Sequence, residues 1–219
     1  MKIEAGIFDL DGVIVDTAKF HYLAWRRLAR ELGFDFSPQH NENLKGVSRI
    51  RSLEILLEVG KMKLTDKEKQ EAAQRKNAWY VDYITTLSPE EVLPGAKEFL
   101  IEMSTDNVKV ALGSASKNAG LILHRLQLTE LFDVVIDGNK IAKAKPDPQI
   151  FLKAAEELNV QPSECVVFED AKSGIEAARN AGIFCVGVGD PDILIKADII
   201  IPGFRGLSWK KMKKSISVR

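Results

Sequence analysis

The chain predicts an α/β fold, a doubly wound parallel sheet with a Rossmann-like core and an inserted helical cap. Three observations carry this expectation. Short β-branched apolar runs recur along the chain and end in polar or glycine residues, helical patterns lie between them, and residues 17–87 hold helical patterns without a convincing strand. The expected division is an α/β core domain of residues 1–16 and 88–219 and a helical cap domain of residues 17–87.

The first apolar run leads into FDLDGVIVDT at 8–17 and predicts a strand ending at Asp9. Amphipathic stretches near 17–32, 49–58 and 65–87 predict the three helices of the insertion. The insertion leaves after strand one and returns before SPEEVLPG, so it would lie as a lid over the carboxyl end of the sheet. Helical patterns then fall at Gly95–Met103, Asn118–Leu126, Pro148–Leu158 and Ser173–Ala181. Between and after them, VKVALGSAS at 108–116, FDVVID at 132–137, CVVFED at 165–170, IFCVGVGD at 183–190 and ADIII at 197–201 read as strands. No repeat or low-complexity tract interrupts them, and the lysine-rich C-terminus and the 138–144 loop receive no assignment.

Thirty-one basic residues balance thirty-one acidic ones, so no overall field draws in nucleic acid or an anionic membrane, and a small-molecule partner is expected. Cys165 and Cys185 sit in apolar runs that read as interior strands, which argues against a disulfide framework. Nowhere are there the roughly 18 uninterrupted apolar residues that a membrane span needs. The expectation is a cytoplasmic monomer.

In sheets of this kind ligands bind beyond the carboxyl ends of the strands, which here carry Asp9 and Asp11, Ser114, and Glu169 with Asp170. Alternate residues of a strand share a side, so Asp9 and Asp11 face together, and their repulsion raises one pKa unless a cation intervenes. Taken alone, the pair also reads as a solvated turn. An EF-hand loop does not fit, because Val13 and Ile14 stand where an oxygen ligand and a glycine are needed. Ser114 alone reads as a turn or helix-capping serine, Lys145 as a solvated lysine before Pro146, and Glu169–Asp170 as an acidic pair at a helix start. In the insertion, His21 shares a helix face with Trp25, Leu28 and Leu32; Lys76 with Tyr80, Tyr83 and Leu87; and Arg49 with Leu53 and Leu56. A snorkelling lysine would account for the second of these.

The order D-x-D, GSAS, KAKPD, ED resembles the haloacid dehalogenase superfamily over essentially the whole length. That resemblance implies that Asp9 is a nucleophile forming an aspartyl phosphate and that Asp11 is the general acid and base. It implies Mg²⁺ held by Asp9, the backbone carbonyl of Asp11 and Asp170, with Glu169 in or near the shell. It gives the transferring phosphoryl group to Ser114 and Lys145, and no role to Lys140 or Lys143.

DTAKFHYLAW at 16–25, LKGVSRIRSL at 44–53, RKN at 75–77 and GSASKN at 113–118 resemble the branch of that superfamily whose members are mutases of β-glucose phosphates. This implies conversion of β-glucose 1-phosphate to glucose 6-phosphate through the 1,6-bisphosphate, with sugar phosphate and bisphosphate as the partners. Arg49, Ser116, Lys117 and Asn118, with Ala115 in the same turn, would hold a second phosphate. Thr17, Lys45, Gly46 and Ser52 would contact the sugar or shape its loop, and His21 and Lys76 would link lid closure to Asp11. The competing expectations are a sugar-phosphate phosphatase with the same lid and a noncatalytic sugar-phosphate sensor, the latter expected to lack Asp9 or Asp11.

Overall fold

The computed structural model describes residues 2–44 and 47–217. The first apolar run forms β1 (Ala5–Phe8), and four helices follow: α1 (Ala18–Glu31), α2 (Pro38–Glu42), α3 (Arg49–Val59) and α4 (Asp66–Ile84). Then come α5 (Ala96–Thr105), β2 (Lys109–Gly113), α6 (Ala119–Arg125), β3 (Val134–Ile136), α7 (Gln149–Leu158) and β4 (Cys165–Glu169). The described residues end with α8 (Lys172–Asn180), β5 (Phe184–Val188), β6 (Ile199–Ile201) and α9 (Trp209–Ser217).

The expected parallel sheet is present, with strand order β3-β2-β1-β4-β5-β6. Pleating splits β1 between two cores. Ala5 and Ile7 join Ile150, Phe151, Ala154 and Ile175 on one side of the sheet, and Phe8 joins Phe99, Phe168, Phe204 and Trp209 on the other. The in-register neighbours Phe8 and Phe168 stack with ring centroids 4.5 Å apart. Such a contact adds about 0.5–1.5 kcal/mol to simple burial and ties β1 to β4 just where the acidic residues begin.

The insertion has a core of its own, built from Trp25, Leu28, Phe36, Leu53, Leu56, Ala72 and Ala73. Four helices occupy it where the sequence predicted three, because α2 is five residues long and cannot display a period. Its only signal was Ser37-Pro38, which acts here as N-cap followed by an N-terminal proline. α4 opens on a capping box between Thr65 and Glu68 and stops at Ile84, short of the predicted Leu87. The outgoing and returning chains are stitched together where they cross: Val15 bridges Val92, and the Leu93 amide donates to the Ile14 carbonyl at 2.8 Å.

The lysine-rich C-terminus that the sequence left unassigned is α9. Trp209, Met212 and Ile216 form its buried stripe, the Trp209 indole donates to Asp106 at 2.9 Å, and the lysines form the outer face. Cys165 and Cys185 are buried and unbridged, and burial pushes the Cys165 thiol up to about 12. Among the described residues no helix is long and apolar enough to cross a membrane.

Candidate active site

The strand order reverses between β1 and β4, and the acidic residues gather at that point. Pairing of Phe8 with Phe168 sets Asp9 beside Glu169, and the Asp9 amide donates to the Phe168 carbonyl at 2.9 Å. The Lys145 ammonium reaches between them, donating to Asp9 Oδ1 at 2.5 Å and to Glu169 Oε2 at 2.8 Å, and lies 4.9 Å from the centre of the Phe151 ring. Its loop is held from behind: Asn180 Nδ2 donates to the Pro146 carbonyl at 3.0 Å, and Gln149 Oε1 accepts from the amides of Ala142 and Lys143. Burial alone would weaken the Lys145 charge, but the two carboxylates outweigh it and hold the ammonium above its ordinary range.

Carboxylate oxygens of Asp9, Glu169 and Asp170 lie within 4.8 Å of one another, a cluster that could hold a metal ion. The Asp11 side chain is not in that cluster, because it accepts a hydrogen bond from the Thr17 hydroxyl. Burial, then the charge of Asp9, pushes the Asp11 carboxyl up to about 7 against the pull of the Thr17 bond. Burial also raises Glu169, with Asp9 adding to it and Lys145 opposing.

Two glycines make room for this crowding. Gly12, at φ +80°, lies so close to Asp170 that a Cβ there would collide with its carboxylate. Gly174 on α8 faces the Glu169 carboxyl in the same way, while the Ala171 amide donates to Glu169 Oε1 at 3.2 Å. Neither glycine carries an expected role, although at Gly174 a glycine inside a predicted helix costs about 1 kcal/mol and is a signal of close approach.

The loop after β2 forms a second cluster. Ser114, buried at the strand end, accepts from the Ser116 amide at 3.1 Å, and the Ser116 hydroxyl accepts from the Asn118 amide at 3.2 Å. Asn118 Nδ2 donates to Asn77 Oδ1 on α4 at 2.9 Å, joining the sheet side to the insertion through a residue for which the sequence suggested no partner. Ala115 is half-buried, and Lys117 is exposed with its carbonyl accepting from Asn139 Nδ2 at 3.0 Å.

Lys76 does not snorkel. Its ammonium is enclosed, 2.9 Å from His21 Nδ1 and within 4.7 Å of the ring centres of Trp25 and Tyr80. Burial, then the Arg49 charge, pulls Lys76 well below its ordinary value; burial, then Lys76 and Arg49, does the same to His21. The Lys76 side-chain nitrogen and His21 Nδ1 share one hydrogen bond. Arg49 is half-buried at the start of α3, behind the N-cap Ser48, and Ser52 is buried one turn later. Thr17 is fully buried, its hydroxyl given to Asp11. Lys45 and Gly46 lie outside the described residues.

The insertion brings half-buried Arg49 and buried Lys76 to a sheet-side acidic cluster whose Asp9 and Glu169 carboxylates touch the buried Lys145. The basic side chains of the insertion suit an anionic group on a substrate. A sequence model of haloacid dehalogenase-like hydrolases matches residues 3–182. Over 91% of its length the chain is 45% identical to β-phosphoglucomutase of Bacillus subtilis, covering 89% of that protein. It is 36% identical to the phosphorylated carbohydrates phosphatase of Thermotoga maritima, over 83% of this chain and 82% of that one. A crystal structure of β-phosphoglucomutase from Clostridium difficile superposes with a TM-score of 0.95 at 42% identity, covering 99% of this chain and 100% of that one.

Proposed function

Because the chain belongs to the haloacid dehalogenase-like hydrolase family, we propose that it transfers phosphoryl groups through an aspartate and that its reaction is that of a β-phosphoglucomutase. The observation that carries the second step is the buried Lys76–His21 pair on the insertion: a phosphatase accepting water needs no enclosed groups there to sense a sugar. The identity to the Bacillus subtilis mutase supports it.

In this reading Asp9 carries the phosphoryl group. The C6 hydroxyl of β-glucose 1-phosphate attacks the aspartyl phosphate, Asp11 takes the hydroxyl proton, and the Asp9 carboxylate leaves. The 1,6-bisphosphate turns over, Asp9 attacks phosphorus at C1, and Asp11 returns the proton to the departing C1 oxygen, giving glucose 6-phosphate and the phosphoenzyme again. A carboxyl pushed up to about 7 is matched to both proton transfers. Lys145 and Ser114 hold the phosphoryl group in transit, while Arg49, Ser116, Lys117 and Asn118 hold the other phosphate, Arg49 with a planar fork suited to it. Ala115 gives backbone to the same turn. His21, Lys76, Thr17, Ser52, Lys45 and Gly46 serve the sugar and closure of the insertion, which as a cap domain of residues 17–87 keeps water from the phosphoenzyme. The partners are sugar phosphate and bisphosphate, not nucleic acid or membrane, and the enzyme works as a cytoplasmic monomer.

The donor set fits Mg²⁺, since Asp9, Glu169 and Asp170 offer only hard oxygens and cluster closely enough to share one ion, with the Asp11 carbonyl as a further ligand. When bound, the ion neutralises charge between the Asp9 carboxylate and an incoming phosphate. Gly174→Ala, by displacing the Glu169 carboxyl, is expected to weaken Mg²⁺ activation about 10- to 100-fold, read from the Mg²⁺ dependence of rate. Unchanged Mg²⁺ dependence would remove Glu169 from the metal site.

The function is tested by supplying β-glucose 1-phosphate, Mg²⁺ and a trace of the 1,6-bisphosphate, then following glucose 6-phosphate and free phosphate together, with the α anomer as control. Glucose 6-phosphate from the β anomer alone is expected. Free phosphate in its place would move the protein beside its Thermotoga maritima relative, a phosphatase.

A further inference from the structure

We propose that Tyr80 is a positioning residue, the joint through which the sugar-side pair His21–Lys76 sets the orientation of Asp11. The inference deepens the function proposed above and rests on its assignment of Asp11 as general acid and base. Tyr80 lies on α4, its side chain almost wholly enclosed, and touches both halves of the site. Its ring stacks on His21 with centroids 4.0 Å apart at 29°, and the Lys76 ammonium lies 4.7 Å from its centre. Its hydroxyl donates to Thr17 Oγ1 at 3.3 Å, and Thr17 in turn donates to Asp11 Oδ1.

The direction of these bonds follows from the protons available. A threonine hydroxyl has one hydrogen and lone pairs free to accept. Burial, then the Asp11 charge, keeps the Tyr80 phenol well above its ordinary value and so protonated, and because the single Thr17 hydrogen is given to Asp11, Tyr80 is the donor to Thr17. By filling the Thr17 lone pair, Tyr80 fixes the hydroxyl rotor with its hydrogen toward Asp11. Without the phenol the rotor is free to turn, and Asp11 loses the hydrogen bond from the Thr17 hydroxyl for part of the time. Because the ring packs against both His21 and Lys76, which touch each other, any shift of that pair when a sugar arrives is carried to Thr17 and so to the carboxyl. The other charged groups near Asp11 are Asp9, Asp16 and Lys145 from the sheet side or the crossing and Lys76 from the insertion, and none of them bonds to the Thr17 hydroxyl.

The test is a double-mutant cycle of Tyr80→Phe, which keeps the ring and removes the hydroxyl, with Thr17→Val. Rates are expressed per phosphoenzyme formed, so partial unfolding cannot imitate the effect. Tyr80→Phe should lower kcat for glucose 6-phosphate about tenfold while KM for β-glucose 1-phosphate changes less than about twofold, and should raise the share of free phosphate. In the Thr17→Val background the same change should alter kcat by less than about twofold, because the relay is already broken. Independent, multiplying effects of the two substitutions, or a Tyr80→Phe kcat equal to that of the parent, would overturn the proposal. If the parent protein makes no glucose 6-phosphate, the mutase reading fails by itself, and the same cycle on phosphate release still decides whether Tyr80 and Thr17 act together.

Discussion

Asp9→Asn is expected to abolish turnover, by on the order of 10⁵-fold, the scale of loss when a nucleophile acting within a catalytic group is removed. The substitution is nearly isosteric, and an amide oxygen still accepts from Lys145 Nζ, which lies 2.5 Å from Oδ1 in the parent. What disappears is the anionic oxygen that attacks phosphorus. Relief of the Asp9 charge also lets Asp11 fall from about 7 toward the ordinary carboxylate range. Acetyl phosphate separates the two aspartates, because its leaving group needs no proton. Radiolabelled acetyl phosphate should mark Asp11→Asn protein and leave Asp9→Asn protein unlabelled. Label on Asp9→Asn would mean that another group is the nucleophile.

The fold was readable because its strands are buried on both faces and therefore appear as nearly continuous apolar runs, from AGIF in β1 to FCVGV in β5. The helices that escaped were α2, too short to show a period, and α9, whose apolar positions 209, 212 and 216 are separated by lysines. Residues of the site were visible where chemistry demands a charged type at a strand end, as with Asp9 and Glu169. They were invisible where the requirement is spatial. Gly174 matters because α8 packs against a carboxyl, Asn180 because it meets the carbonyl of Pro146 34 positions away, and Asn77 because α4 happens to face the loop after β2. Lys76 shows the limit most clearly: helical spacing put it on an apolar stripe, but only the packing of Trp25 and Tyr80 around it decides that its side-chain nitrogen stays inside.

Lys145→Met is expected to be the most damaging substitution for stability in metal-free protein. The lysine side chain has 0% exposure and its ammonium touches two carboxylates that are themselves buried. Methionine fills similar volume but leaves Asp9 and Glu169 facing each other without the lysine charge. Removing one partner from a buried pair costs about 3–5 kcal/mol, a deficit measurable by urea unfolding with a chelator present. Its pH dependence identifies the cause. In the variant the lysine charge no longer opposes the burial that already raises Glu169, leaving only the Ala171 amide to do so, and its folded pKa climbs further above the ordinary 4.5. A carboxyl raised in the folded state binds its proton more tightly there, so its contribution is present below the unfolded value and is lost as pH rises through the folded one. The deficit relative to the parent should therefore be largest near pH 8 and shrink by pH 5, both on the order-of-magnitude scale set by that shift. The parent keeps its lysine charged throughout this range, because the same carboxylates raise it. An equal deficit at both pH values would mean that lost packing against Phe151, not uncompensated charge, is what the lysine prevents.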